Sequence, residues 1–356
     1  MAYTNIDDPS AHFQTKLYTG TGSSLALTND GNSDLKPDLA WIKRRTTGGN
    51  YSHAWFDSSR GSTKRIYLPG TGNQDTNAQY ITSFNTDGFT AGTDANINEN
   101  NLEYVAWQWK CNGGTTATNT TGSVDSVVQV NSDAGFSIVT YPSASSGNFS
   151  VGHGLGVQPA MIITKGTDTT GQWYTWHKDL TGGTSNTSYL LSLNRTDAEA
   201  SYANAWGAGV TSSVFGMQSG NTATGDQNYI AYCFSEKQGY SKFGKYIANG
   251  NVNGPFIYTG FKPAFFMVKN NRAGQNWLMV DATRDPHNLV THGLLASSAN
   301  PESTAVDFHV DFLSNGIKIR TVGTGWFNMY AGDEYYYMAI AENPFVTSTG
   351  IPTTAR

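Results

Sequence analysis

The chain's most concentrated chemistry is basic: Lys43, Arg44, Arg45, Arg60, Lys64 and Arg65 fall within 23 residues. If the two strands that carry them are neighbours, they form a positive patch suited to an acidic partner surface or a phosphate-bearing glycan. The plainer reading is a solvated strand end, the usual fate of a charge run. Carboxylates offer a second chemistry, since a glycosidase needs two of them facing one cleft. "VDFHVD" supplies Asp307 and Asp311, and "GDE" supplies Asp333 and Glu334. On a strand, Asp307, His309 and Asp311 would share one face, as a metal or acid/base cluster requires, and as an ordinary solvated strand face also does. "HKD" at 177 to 179 and "RDPH" at 284 to 287 bring His near Asp, without a G-x-S-x-G nucleophile beside them, so polar turns account for both. "GHGLGVQP" at 152 to 159 runs into the strand "AMIIT", where a dinucleotide site would need a helix start. Among the tryptophans, Trp206 and Trp326 lie in Gly-rich, loop-like surroundings and are the ones expected to stack on a sugar or a partner. Trp55, Trp173, Trp176 and Trp277 occupy a repeated strand and are assigned to packing. No catalytic set, cofactor site or metal site is complete.

The elements that must position these residues repeat. "YVAWQWK" at 104, "YIAYCFSE" at 229 and "YYYMAIAE" at 335 write one aromatic strand three times. Upstream of each stands a Pro, an apolar run and a Lys: "KPDLAWIKRR", "QPAMIITKGT" and "KPAFFMVKNN", with Lys43, Lys165 and Lys269 in register. From those lysines to Tyr104, Tyr229 and Tyr336 the separations are 61, 64 and 67 residues. Between the anchors each copy places a Trp-bearing strand and an Asp: Asp57, Asp179 and Asp281. "FQTKLYTG", "FSIVTYPS" and "PFIYTG" read as opening strands. In the third copy the short path from "PFIYTG" to the Pro predicts that a hairpin is missing. Fixed-period self-similarity of this kind marks a repeated structural unit.

Each copy holds about seven or eight short apolar or alternating segments punctuated by Gly, Asn, Asp and Pro, the pattern of a sandwich or jelly roll. The expected fold is therefore all-β: three tandem, jelly-roll-like β-sandwich modules with short loops and little helix. The boundaries fall at an N-terminal arm 1–10, module one 11–112, a Gly/Thr/Ser linker 113–125, module two 126–242, module three 243–345 and a tail 346–356. One segment, 196–206, could form two or three helical turns or a loop. Each module is expected to close around its own aromatic interior. "YVAWQWK" sets Tyr, Ala and Gln on one side and Val and the two Trp on the other, which predicts two half-buried faces and suits a central strand in a two-layer sandwich.

Composition agrees. Charged residues are 14 %, glycines number 39 and aromatics reach 13 % of the 356 residues, a mixture poor in helix formers. Twenty-two basic against 27 acidic residues give a net charge of −5, which argues against a nucleic-acid partner gripped by a broad basic face. No apolar run approaches the ~18 residues of a membrane span, and "MAYTNIDDPS" lacks the features of an export signal. The two cysteines, Cys111 and Cys233, sit out of register and read as free thiols.

Over nearly its whole length the chain resembles a family of virion structural proteins of tailed bacteriophages, especially of marine and cyanobacterial hosts. The resemblance is carried by "IDDPSAHFQTKLYTGTG", "KPDLAWIKRR", "FDSSRG", "FNTDGF", "NGPFIYTGFKPAFFMVK", "DATRDPHN", "DFLSNGIKIR" and "AENPF"; module two diverges most. It implies a non-enzymatic β-sandwich protein displayed on the particle as a tail fibre, appendage or capsid decoration. Such a protein is assembled in the host cytoplasm, partnered by other virion proteins and by copies of itself, with a host cell-surface glycan as a further partner. The tail "TSTGIPTTAR" would then dock on a neighbouring subunit or remain unstructured. A lectin-like module and a polysaccharide depolymerase are the alternatives.

Overall fold

A computed structural model describes residues 2–321 and 326–353. The fold is all-β, with 43 % strand and 3 % helix. Gly and Asn punctuation cuts the chain into strands too short and too β-branched or aromatic to form helices. The segment 196–206 is not helical: Ala200–Ser201 is a short strand and the residues after it turn.

Three large antiparallel sheets repeat one strand order. In the first, Phe13–Thr19 pairs with Glu103–Trp109, which pairs with Leu39–Arg44, followed by His53–Asp57, Lys64–Leu68 and Asp75–Thr76. In the second, Phe136–Pro142, Asn228–Phe234, Met161–Gly166, Tyr174–His177, Tyr189–Ser192 and Ala200–Ser201 follow the same order, extended by Ser126–Asn131 and Ala117–Asn119. The last of these strands lies within the 113–125 stretch read as linker. In the third, the order is Ser241–Ile247, Glu334–Pro344, Phe261–Asn270, Trp277–Asp281 and Leu294–Leu295. The opening strand of the third unit is therefore Ser241–Ile247. "PFIYTG" is instead the counterpart of Leu25–Leu27 and Gly147–Gly152, and no hairpin is missing there.

A small sheet covers the outer face of each large one. Leu25–Leu27, Phe89–Ala91 and Ile81–Phe84 form the first, Phe256–Tyr258, Gly316–Ile319 and Val310–Leu313 the third, and the second has two strands only, Gly147–Gly152 and Val214–Ser219. The alternation in "YVAWQWK" now acquires a physical meaning. Tyr104 and Ala106 pack outward with Phe89, Ile81 and Ile97. Val105, Trp107 and Trp109 turn the other way, into one core that also contains Ile163, Tyr232 and Phe234 of the second unit and Met267, Tyr336 and Met338 of the third. The inner faces of all three large sheets thus share a single interior, which replaces the expected three separate ones. It holds six tryptophans, Trp41, Trp55, Trp107, Trp109, Trp173 and Trp277. Each large ring so buried stabilises the fold by about 1.5–3 kcal/mol.

Register also corrects the alignment of the repeats. Lys43, Lys165 and Lys269 face Val105, Ile230 and Tyr336 across the sheet. The tyrosine equivalent to Tyr104 and Tyr229 is therefore Tyr335, and Tyr336 points to the shared core, since a one-residue offset exchanges faces. The three true equivalents stack on tyrosines of the opening strands: Tyr18 with Tyr104 at 5.1 Å, Tyr141 with Tyr229 at 5.7 Å and Tyr246 with Tyr335 at 4.8 Å. Each hydroxyl of the second member accepts a backbone amide a few residues upstream, from Glu99, Thr224 and Met329 respectively.

The N-terminal arm and the C-terminal tail meet just before the third unit's first strand. Thr4 Oγ1 donates to Gln238 O at 2.8 Å, and Ser348 N donates to Asp7 Oδ1 at 2.6 Å.

Candidate functional site

The basic cluster does not form a patch. Lys43 is buried at 1 % exposure, and its Nζ donates to Tyr51 O at 2.6 Å and to Ala299 O of the third unit at 2.9 Å. Arg44 pairs with Glu99 at 2.8 Å and lies over the Tyr51 ring. Arg45 grips Glu302 of the third unit with two nitrogens, at 2.8 and 3.1 Å. Arg60 is buried against Asp57 at 2.6 Å, and Arg65 pairs with Asp75 at 2.7 Å and covers the Tyr80 ring. Lys64 is half-buried at the mouth of a shallow cleft beside Arg60. The tryptophans singled out for ligand contact are not open either. Trp206 is fully buried with its Nε1 donating to Tyr189 O at 2.9 Å, and Trp326 is half-buried, edge-on to Phe308 at 5.2 Å. Strand sequence alone does not reveal that both faces of these sheets are covered, and that hid the burial.

The paired carboxylates are likewise neutralised. Asp311 meets Arg320 at 3.3 Å, Asp333 meets Arg272 at 2.6 Å and Glu334 meets Lys245 at 2.8 Å. Asp307 lies in a 3-10 turn, so it does not alternate with Asp311 along one strand. Asp285 accepts the backbone amides of Thr291 and His292 as well as pairing with the His292 ring, all at 2.6 Å, which makes it a loop staple. Among the described residues no group of three His, Cys, Asp or Glu side chains could hold a metal ion.

What the buried polar side chains do is join the units. Asp57, His177 and Asp281 are equivalent, since they face Leu39, Met161 and Phe265; Asp179, the expected member of this set, lies two residues beyond. Asp57 accepts from Arg60 Nε at 2.6 Å and from Tyr232 of the second unit at 2.8 Å. Asp281 accepts from Arg284 Nε at 2.5 Å and from Trp107 Nε1 of the first unit at 3.1 Å. Position 338, the counterpart of Trp107 and Tyr232, is a methionine with no donor to offer. The side chain that faces the third unit is correspondingly not an Asp but His177, and Leu180 stands where the arginines would be. His177 Nε2 bonds to Tyr337 O at 3.1 Å, and its Nδ1 accepts the Asp179 amide, so the ring is neutral; burial pushes its pKa down to about 4. Acceptor, cation and donor are thus replaced together at one of the three junctions.

A second set runs around the same circle. Trp173 Nε1 donates to Gly70 O at 3.2 Å, Trp277 Nε1 to Ser192 O at 2.9 Å, and His53 Nε2 bonds to Leu295 O at 3.0 Å. His53 Nδ1 receives Trp41 Nε1 at 2.8 Å, which leaves the proton on Nε2. Every unit therefore contacts the next in the same rotational sense, a closed head-to-tail ring. Among the described residues the repeated lysines are capped by main-chain carbonyls, Lys165 by Gly166 O and Lys269 by Asn270 O among them. Burial lowers their pKa values to about 7 for Lys43, about 8 for Lys165 and about 7 for Lys269.

Besides the cleft of about 470 Å³ that Arg60 and Lys64 line, further open regions remain. Between the first and third sheets lies a cleft of about 400 Å³ lined by Phe13, Thr15, Ala264 and His287, with the Lys262–Glu342 pair, 2.6 Å apart, also in its lining. In the second unit a cleft of about 420 Å³ adjoins one of about 220 Å³, and both include Gln172 and Tyr174. Sequence reasoning missed Tyr174, although it stands where the other copies have Ala54 and Leu278, a visible departure once the strands are aligned.

An all-β ring of three two-layered units is the class of protein this geometry defines. Residues 8–344 match the family model described as a domain of unknown function, DUF7483, and the chain belongs to that family. No curated protein and no solved structure matches it.

Proposed function

We propose that the protein is a non-enzymatic structural component of a bacteriophage particle, a tail fibre, appendage or capsid decoration, working through subunit contacts and host-surface attachment. The observation that carries this reading is the use to which the reactive side chains are put. Asp57, Arg60, Asp281, Arg284, Arg45, Glu302 and the repeated lysines all hold one unit to another or cap main-chain carbonyls within the sheets. A rigid body with its charges engaged internally suits a building block. The repeated motifs that resemble tailed-phage virion proteins give the reading its biological setting, with assembly in the host cytoplasm and with other virion proteins and copies of itself as partners. Cryo-electron microscopy and mass spectrometry of purified particles test it. The protein is expected in the particle density, and its absence there, or turnover of a host polysaccharide by the pure chain, overturns the proposal.

A carbohydrate-binding module is the second reading, favoured by the tyrosine-lined cleft of the second unit.

A further inference from the structure

We propose that the second unit carries a binding site for a neutral oligosaccharide, built where its two adjoining clefts meet at Tyr174 and Gln172. For its biological role this site rests on the attachment reading; the binding itself does not.

The site exists because the repeat is broken there. Tyr174 occupies the position of Ala54 and Leu278, which are 1 % and 2 % exposed beneath the outer layers of the first and third units. In the second unit the third strand of that layer shrinks to a single antiparallel bridge, Val210 to Phe215, and Tyr174 is only half-buried. Tyr229 shares the larger cleft with it, and Tyr202, 47 % exposed, shares the smaller. Three phenol rings thus stand around one cavity system.

The polar groups suit sugar hydroxyls. Neither Tyr174 nor Tyr202 has a hydrogen-bond partner for its hydroxyl among the described residues. Gln172 Oε1 accepts Asn194 Nδ2 at 2.8 Å, which leaves the Gln172 amide nitrogen as a free pair of donors at the junction. Flat rings that cover the apolar face of a pyranose, with amides and hydroxyls at the edge, are the chemistry by which a polyhydroxylated ring is held.

Charge decides the class of sugar. The larger cleft is lined by Ser, Thr, Gly, Ala, Asn, Gln and Tyr and by no Asp, Glu, Lys or Arg. The smaller contains Arg195 and Asp197, which bond to each other and cancel. A uronate, sialate or phosphorylated glycan would enter with its charge uncompensated, whereas a neutral chain loses nothing. Size agrees: 420 Å³ lies within the roughly 300–1,000 Å³ range of small-molecule sites, and the adjoining 220 Å³ adds a second, smaller compartment for the next sugar. Hydrolysis is not expected here, because Asp197 is the only carboxylate in the lining and a glycosidase needs two.

The test is isothermal titration calorimetry of the full chain against malto-, cello-, xylo-, manno- and chito-oligosaccharides, with polygalacturonate and alginate as acidic comparisons. At least one neutral series is expected to bind saturably and the acidic polymers not at all. Tyr174→Ala and Tyr202→Ala should each raise Kd at least tenfold, while Tyr174→Phe, which keeps the ring, should stay within about threefold. Circular dichroism verifies that the variants are folded; Tyr202 is exposed, so its truncation keeps the test open should Tyr174→Ala unfold. No binding to any neutral series, preference for the acidic polymers, or an unchanged Kd in the folded alanine variants overturns the proposal. Particle incorporation, measured separately, bears on the attachment reading alone.

Discussion

Removing Asp57 should come close to unfolding the protein, and transplanting the chemistry of the sister junction should restore it. Asp57 is fully buried and takes both Arg60 and the hydroxyl of Tyr232 from the next unit. In Asp57→Ala the Arg60 guanidinium keeps Gln74 Oε1 at 2.9 Å, a long bond to Trp55 O and the neighbouring Tyr232 hydroxyl, none of them a compensating charge. Stranding one member of a buried ion pair costs about 3–5 kcal/mol. Taking away the carboxylate that accepts the Tyr232 proton adds about 1–3 kcal/mol. The combined loss of roughly 4–8 kcal/mol is of the order of a domain's whole stability. Tyr232→Phe removes the donor alone and should cost about 1.5–3 kcal/mol. The triple variant Asp57→His, Arg60→Leu, Tyr232→Met copies the second-to-third junction, with the main-chain carbonyl of Ala231 standing where Tyr337 O stands. It should recover more than half of the single variant's loss. Urea unfolding with linear extrapolation, read for both free energy and m-value, measures all three. A loss below about 1 kcal/mol in Asp57→Ala, or a triple variant no better than the single, would refute the account of the junctions.

Four further outcomes are expected. The melting temperature should fall as pH drops from 6.5 to 4, because burial holds His153 and His177 near 4 in the fold; the stability present above the unfolded value disappears as the unfolded chain takes up protons, on the order of 3 kcal/mol per residue. The same sign applies to Lys43, Lys165 and Lys269, so stability should also climb between pH 7 and about 9.5, and a flat or falling melting curve there would contradict it. Cys111 and Cys233, both buried with burial raising their thiol pKa values, should be inert to a thiol reagent until the chain is unfolded; rapid labelling of the native protein would show the core to be open. A fragment ending at residue 124 should fail to give a cooperative unfolding transition, since Trp41, Trp55, Trp107 and Trp109 would face water; a well-folded fragment would mean the shared core is dispensable.

Much of the fold was legible in the chain, because strand alternation is a local property and the Lys and Tyr motifs recur at nearly constant spacing. "YVAWQWK" predicted two half-buried faces, and both are buried outright. What local pattern could not tell was where each face goes. Nothing in the sequence distinguishes a Trp that closes its own unit from one that closes a neighbour's, so the shared core was read as three. Spacing also misled where register matters at the level of one or two residues: Tyr336 was taken for Tyr335, and Asp179 for the position that His177 holds. The basic cluster was visible as composition, but its partners Glu302 and Ala299 lie more than 250 residues away. The cleft of the second unit left one faint trace, a tyrosine where alanine and leucine stand elsewhere.

The ring is written in one polypeptide rather than assembled from three. In a trimer of identical chains any substitution appears at every corner, so a change that opens a hollow on one side opens it on all and strains three seams together. Here the corners are separately encoded. One seam can exchange aspartate and arginine for histidine and leucine, and one outer wall can shrink a strand to a single bridge, while the other two keep the framework rigid. Covalent linkage thereby permits a body with the stiffness of threefold construction and a single distinguishable face.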